Sequence, residues 1–481
     1  MAFVLCAIAG FGAARPDVRP SDLLRDFNAF YCAGDAMLHH ADPYRAEPLG
    51  ACERTPKPKP FLTGLPALAM PAPLPPYALV PFVALARLPY VWAAVVWTGS
   101  ILACVGLAVY AMRRLTGIAL VPLVAAFALT DGYASMCLGQ VAPVAVAAIA
   151  FAAMLLREGR DKAAALAASF AMIEPHVGLP ACLALYVWRR EARLPLVTAA
   201  LGCAFLSFAL AGIPTTFEYV REVIPAHALS EVINEKQFSL TYALHRLHVP
   251  SALAVRAGEA WYLGMLVAGI AIARDVARRL GDGAALVTIP PALALVGGPF
   301  VHVIQMPAAL PAAFLLYGHS GPKLRPVLGV AIAALAIPWI QFVNLGTIFV
   351  VLASFAAAVL IATLVDARPL PVAGAAICAL LFVEQLTYLI KSGIGDALPA
   401  LRAHYDPAAL AEASWTLYVR TIGSANAAAF DLAKVPTLLG LGTVVTVAAV
   451  LAFRPTKTPA AAGIPSAAWQ GADPSRRIAT R

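Results

Sequence analysis

Apolar residues in this chain come in long uninterrupted runs, and the polar residues between them are bunched. Val91 to Met112 carries no charge and is long enough, at ~1.5 Å per helical residue, to cross ~30 Å of hydrocarbon. Leu194–Ile213, Ala252–Ala273, Leu328–Val343, Gly346–Val365, Val372–Ile390 and Val435–Phe453 repeat the pattern. None shows the period-two alternation of barrel strands, so helices must satisfy the backbone in lipid. Two pairs of runs, 118–131 with 141–156 and 163–173 with 178–188, are too short for full crossings and predict hairpins of short helices. Ala2–Ala14 is a short apolar run without a basic leader, which predicts a short first membrane helix rather than a signal peptide. The sum is an all-α, polytopic transmembrane bundle of roughly 12–14 membrane segments.

Charge placement adds an orientation. Arg113–Arg114, Arg157/Arg160/Lys162, Arg189–Arg190/Arg193, Arg274/Arg278/Arg279, Lys323/Arg325, Arg368 and Arg454/Lys457 all border apolar runs. The positive-inside tendency puts these in the cytoplasm and leaves 15–76, the turns near 131–140 and 300–303, and 214–250 outside. Composition agrees, with 61% hydrophobic and 13% charged residues where a soluble chain carries about a quarter charged. The net charge of +9 therefore reports topology and predicts no nucleic-acid partner. Of eight cysteines none has metal-ligand spacing; Cys32 and Cys52 share one outer segment, but the expectation is that they remain unpaired. The tail 454–481, rich in Ala, Pro, Thr and Arg, predicts a disordered cytoplasmic end.

The first outer loop is the most informative stretch. Ser21 is placed to cap a helix with Asp22 in its first turn. Leu23, Phe27, Phe30, Gly34 and Met37 then follow at helical spacing, an apolar stripe on an amphipathic helix lying along the membrane surface. Arg25, Asn28, Cys32 and Asp35 take the opposite face, and Asp26 falls on the boundary. A carboxylate there sits where a lipid-linked head group would arrive. Asp42-Pro43-Tyr44 ends the helix.

Asp26 to Tyr44, DFNAFYCAGDAMLHHADPY, resembles the first-loop signature of family 87 of the glycosyltransferases, bacterial polyprenol-phosphate-mannose-dependent enzymes of the GT-C superfamily. Further stretches resemble the family in order: LPPYALVPFVALARLP (Leu74–Pro89), the Gly-Gln turn LGQVAPV (Leu138–Val144), KQFSL (Lys236–Leu240) and the Pro…His turn GPFVHVIQM (Gly298–Met306). The resemblance implies a GT-C transmembrane domain over 1–453, with no cofactor and no metal. It implies an inverting hexosyltransferase, by family default a mannosyltransferase. Its partners would be a polyprenyl-phosphate sugar donor, a glycolipid or glycan acceptor and membrane lipid. The place would be a bacterial inner membrane, with the site facing the periplasm or outside. Asp26 matches the catalytic acidic position and becomes the general base; His302 matches the outer-turn histidine and becomes the ligand of the leaving phosphate. Gln140, Gln237 and Tyr44 are assigned to donor phosphate or sugar. Two positions depart from the family: His40, near which it usually has glycine, and Glu174, where a lysine commonly precedes the proline.

By position alone Asp26 reads as an exposed acid at a helix start, and the resemblance reverses that preference. A turn histidine between apolar runs, such as His302, is evenly balanced between surface and site without it. Lys236, Arg246, Arg221 and Lys57 are basic groups that lipid phosphate would attract. The rival function classes are a transporter or flippase, expected to show internal repeats and mid-span ionisable groups, and an inactive lipid-sugar-binding relative.

Overall fold

The computed structural model describes residues 24–55, 69–135, 138–342, 347–365, 405–422 and 427–453. The expected first helix, the Ser21 cap, the run Val372–Ile390 and the tail after Phe453 lie outside these residues. The described chain is helical throughout, its only β feature an isolated bridge between Arg45 and Leu410. It opens with α1 (Arg25–Leu38), α2 (Ala46–Arg54) and the short α3 (Val80–Leu85). Then come α4 (Tyr90–Thr116), α5 (Leu120–Phe127), α6 (Ala142–Arg157), α7 (Asp161–Ser169), α8 (Pro175–Trp188), α9 (Arg193–Glu218), α10 (Ile224–Glu231) and α11 (Leu240–Arg246). The remainder is α12 (Ser251–Leu280), α13 (Ala285–Gly297), α14 (Leu310–His319), α15 (Arg325–Ala336), α16 (Thr347–Val365), α17 (Ala411–Ile422) and α18 (Ala427–Phe453).

Among the described residues, four helical segments are long and apolar enough to cross a membrane: Tyr90–Thr116, Arg190–Glu231, Ser251–Leu280 and Phe430–Phe453. Shorter apolar helices, among them Leu120–Thr130, Ala142–Arg157 and Pro175–Trp188 from the two pairs of short runs, fill the bundle between them. This is a polytopic membrane protein. Local rules set the long helices: α4 and α12 each start directly after a proline, Pro89 and Pro250, and each stops at a left-handed glycine, Gly117 (φ 66°) and Gly281 (φ 64°). Both carry paired arginines in the last turn, where the helix dipole favours cations.

α13 is the centre. All of its residues except Val296 are buried, and Pro290 and Pro291 are accommodated inside it. α12 lies close along it because Gly269 and Gly297 leave no room for a Cβ: one at Gly297 would meet Met265 at 3.0 Å. α9, by contrast, turns most of its surface outward, with Leu194, Leu201, Phe205, Phe208 and Phe217 exposed to what must be lipid. The helix breaks at Gly212 (φ 79°), two residues before Pro214, and continues through a turn of π-helix into α10.

The two ends of the bundle differ chemically. At one end Arg157 binds Asp282 and the Leu115 carbonyl, His319 reaches Asp282 at 3.0 Å, and Arg189 reaches Asp161 at 3.7 Å. These are loops that the sequence marks as basic. The opposite end carries α1, α2, α17 and the turns around Gln140, Gln237 and His302.

The expectation for α1 needs correction. No residue of Arg25–Leu38 is exposed, and Asn28 and Cys32, assigned to a polar face, are each 1% exposed. The reason is a second layer. α2 folds back over that face, held by a Cys32–Cys52 disulfide (Cα–Cα 5.6 Å) that overturns the expectation of unpaired cysteines. Helical periodicity shows which face is apolar, but not that a neighbour covers the other. On the opposite side Gly34 presses against α3, where a Cβ would meet the Phe82 backbone at 2.4 Å.

Candidate active site

Aromatic packing fixes the rotation of α1. Phe27 is fully buried, stacked on Trp97 at 6.3 Å and tilted against Phe82 at 6.2 Å. Trp97 Nε1 donates to the Gly139 carbonyl at 2.8 Å, which ties the turn before α6 to the same cluster. Gly139 has φ 73°, and a Cβ there would meet that of Phe27 at 2.4 Å, so only glycine fits. The consequence falls on its neighbour. Gln140 is delivered to the first turn of α1, where its Nε2 donates to Asp26 Oδ2.

Burial pushes the Asp26 carboxyl above the ordinary 3.8, against opposing pulls from the Gln140 hydrogen bond and the charges of Arg25, His302 and Lys236. Arg25 itself lies over the rings of Trp415 (5.7 Å) and Tyr418 (5.2 Å) on α17. Asp26 is thus a basic carboxylate ringed by cations.

His302 stands at the start of a 3-10 turn, its backbone N–H donating to Gln305 Oε1 at 2.7 Å. Gln305 Nε2 donates in turn to Glu174 Oε1 at 3.1 Å, the use this chain makes of the acid at that position. The preceding residue is also held, Val301 N–H donating to Gln237 Oε1 at 2.5 Å and its carbonyl accepting from Phe238 N–H at 2.7 Å. The ring's Nε2 has two neighbours, Gln237 Nε2 at 2.7 Å and Glu231 Oε2 at 3.2 Å. Burial would lower the His302 pKa; the charge and hydrogen bond of Glu231, with a further pull from Asp26, carry it above 6.5.

Of the residues singled out by sequence, Gln140 meets Asp26 and Gln237 meets His302, each pair joining two separate segments, and Asp26 and His302 lie within charge range of each other. Tyr44 does not join them. It is 1% exposed, its hydroxyl donates to the Leu74 carbonyl at 2.8 Å, and its ring lies against Tyr219 at 5.4 Å. A phenol so committed holds α1 and α2 to the following loop, and its place in a ligand-binding set is withdrawn. Among the basic candidates, exposed Lys236 lies within charge range of both Asp26 and His302. Arg246 pairs with Asp431 at 3.2 Å, Arg221 lies over Phe217, and Lys57 is outside the described residues. Glu231, Arg25 and Trp415 were not singled out. Glu231 was legible in principle, since Glu231, Asn234 and Gln237 recur every third residue. Among the described residues, no group of three or more His, Cys, Asp or Glu is placed to hold a metal.

A comparison with protein-family models matches residues 74–296 to glycosyltransferase family 87, the stretch that runs from the turn before α3 through α13 and includes Gln140, Glu231 and Gln237. No curated protein and no solved structure matches.

Proposed function

With residues 74–296 placing this chain in glycosyltransferase family 87, and so among the membrane-bound glycosyltransferases, we propose that it is an inverting hexosyltransferase of GT-C type. The donor in this reading is a polyprenyl-phosphate hexose, mannose by family default, and the acceptor is a cell-envelope glycolipid or glycan. Asp26 takes the proton of the acceptor hydroxyl as its oxygen bonds to the anomeric carbon. The bond from that carbon to the phosphate oxygen breaks on the other face, and polyprenyl phosphate departs with both electrons. His302 and Lys236 meet the charge that develops on it. Gln140 orients Asp26, and Gln237 braces the turn that carries His302.

One observation carries this reading: Gln140 and Gln237, both inside the matched segment, reach Asp26 and His302, which flank it on either side, Gln140 Nε2 donating to Asp26 Oδ2 and Gln237 Nε2 lying 2.7 Å from His302 Nε2. Acid and cation held together in separate roles are what base-assisted attack on a phosphate-activated carbon requires. Two features support an extracytoplasmic position in a bacterial inner membrane. The site lies at the end away from the basic loops, and the Cys32–Cys52 disulfide beside it belongs to an oxidising compartment.

The test is Asp26→Asn in purified, membrane-reconstituted protein. Transfer from a polyprenyl-phosphate sugar should fall by on the order of 10²–10⁴-fold, with the thermal melt retained. Undiminished transfer would remove Asp26 as the base. Mass spectrometry of envelope glycolipids from a deletion strain reads the sugar and acceptor; unchanged glycans would move the reading to transport or scaffolding.

A further inference from the structure

Glu231 is the most heavily engaged carboxylate near the site, and the mechanism above does not use it. It is 2% exposed. Oε2 accepts from Asn234 Nδ2 at 2.8 Å and Gln237 Nε2 at 2.6 Å and faces His302 Nε2 at 3.2 Å; Oε1 accepts from Trp415 Nε1 at 2.6 Å. Three amide and indole donors converging on two oxygens suit a carboxylate, since a carboxylic acid would have to spend one oxygen on its own proton. Nothing in reach of a substrate is left over on it. Its output is His302.

The ring is under opposed demands. Gln237 Oε1 is taken by the Val301 N–H, so Gln237 presents only its amide nitrogen to His302 Nε2 and favours a neutral, accepting ring. Glu231 can only accept, so it favours a ring with a proton on Nε2, and its negative charge favours the imidazolium over the neutral Nε2–H tautomer. A full charge in a buried site outweighs a neutral amide, because charge-assisted hydrogen bonds are roughly twice as strong as neutral ones. The other charges facing the ring are Asp26 from α1 and Lys236 from the loop after α10, with His227 on α10 and His176 on α8 also in range. Of these only Asp26 adds to the pull of Glu231.

We propose that Glu231, anchored by Trp415, Asn234 and Gln237, is the positioning residue that holds His302 as an imidazolium facing the site, so that the leaving phosphate meets a cation. The proposal rests on the reading of His302 above, and its test is separable from that reading. α17 thereby becomes a working part of the site, because the Trp415 indole fixes the side of Glu231 turned away from the histidine.

The experiment is a titration of His302 by NMR in the full chain, labelled at histidine and reconstituted in nanodiscs, with His302→Gln identifying the signal. In the parent protein the ring should titrate above 6.5, the ordinary value. In Glu231→Gln burial is the largest remaining influence and the midpoint should fall below 6.5. Glu231→Asp, which keeps the charge on a shorter arm and guards against a misfolded glutamine variant, should fall between them. An unchanged His302 midpoint in both variants overturns the assignment. Transfer rates in the same samples test the other question. If the midpoint moves but the alkaline limb of the rate profile does not, Glu231 keeps its assignment and His302 loses its phosphate role.

Discussion

In the proposed mechanism two ionisable side chains, Asp26 and His302, set the chemistry, and their environments give it a pH dependence. Asp26 acts deprotonated, so the rate should fall as pH drops through a carboxyl pKa held above 3.8 by burial. His302 acts protonated, so the rate should fall again as pH rises through a pKa held above 6.5 by Glu231 against the effect of burial. A bell-shaped rate profile is expected, and Gln140→Leu should shift its acid limb upward. That substitution removes a hydrogen bond to the ionised form of Asp26 and raises its pKa further. Steady-state rates of both proteins between pH 4 and 9 on the order of ten points would check it; an unmoved acid limb would detach that limb from Asp26. Short motifs carry Asp26, Gln140, Gln237 and His302, which is why the sequence singles them out as candidates. Glu231 was not read, because its partners come from three stretches of chain and one, Trp415, belongs to a helix with no recognised motif. Tyr44 misled for the converse reason: it sits within the motif, but its work is structural.

At the scale of elements, the starts of α4 and α12 were legible to within a residue, and proline starts, glycine stops and paired arginines mark both helices. The run Leu328–Val343, by contrast, forms only the short α15, and Leu194–Ile213 continues on to Glu231. The layer above them was not legible. A period of 3.6 divides a helix into two faces, but α1 is covered on both, by α3 and the aromatic cluster on one and by α2 on the other. Two consequences can be measured. Gly139→Ala would put a Cβ into Phe27 at a left-handed backbone position, which should cost about 1–3 kcal/mol of strain and displace Gln140 from Asp26. Its melt should drop by a few degrees while transfer drops far more; losses in proportion would mean the turn is only structural. Cys52→Ser should lower stability by about 2–4 kcal/mol, and the parent treated with reductant should melt like the variant. A melt indifferent to reductant would show that α2 holds its place without the bridge.

Over the whole molecule the sorting of charge between the ends is the dominant pattern. Single cysteines at Ala408, beside α17, and at Lys323, in the basic loop before α15, should report opposite sides when intact cells meet a membrane-impermeant thiol reagent. Labelling of position 323 from outside would invert the proposed orientation. The segment Arg190–Glu231 joins the two ends along a flank that little protein covers, and Glu231 is its last residue. Acyl chains therefore wet the same rod whose tip governs the histidine, and the Gly212 break gives that rod a joint. Thickness of the surrounding bilayer becomes a variable of the catalyst. Hydrophobic mismatch along such a flank is relieved by tilt, so turnover in nanodiscs of graded lipid length should pass through an optimum, as though the membrane were one more substituent on the site.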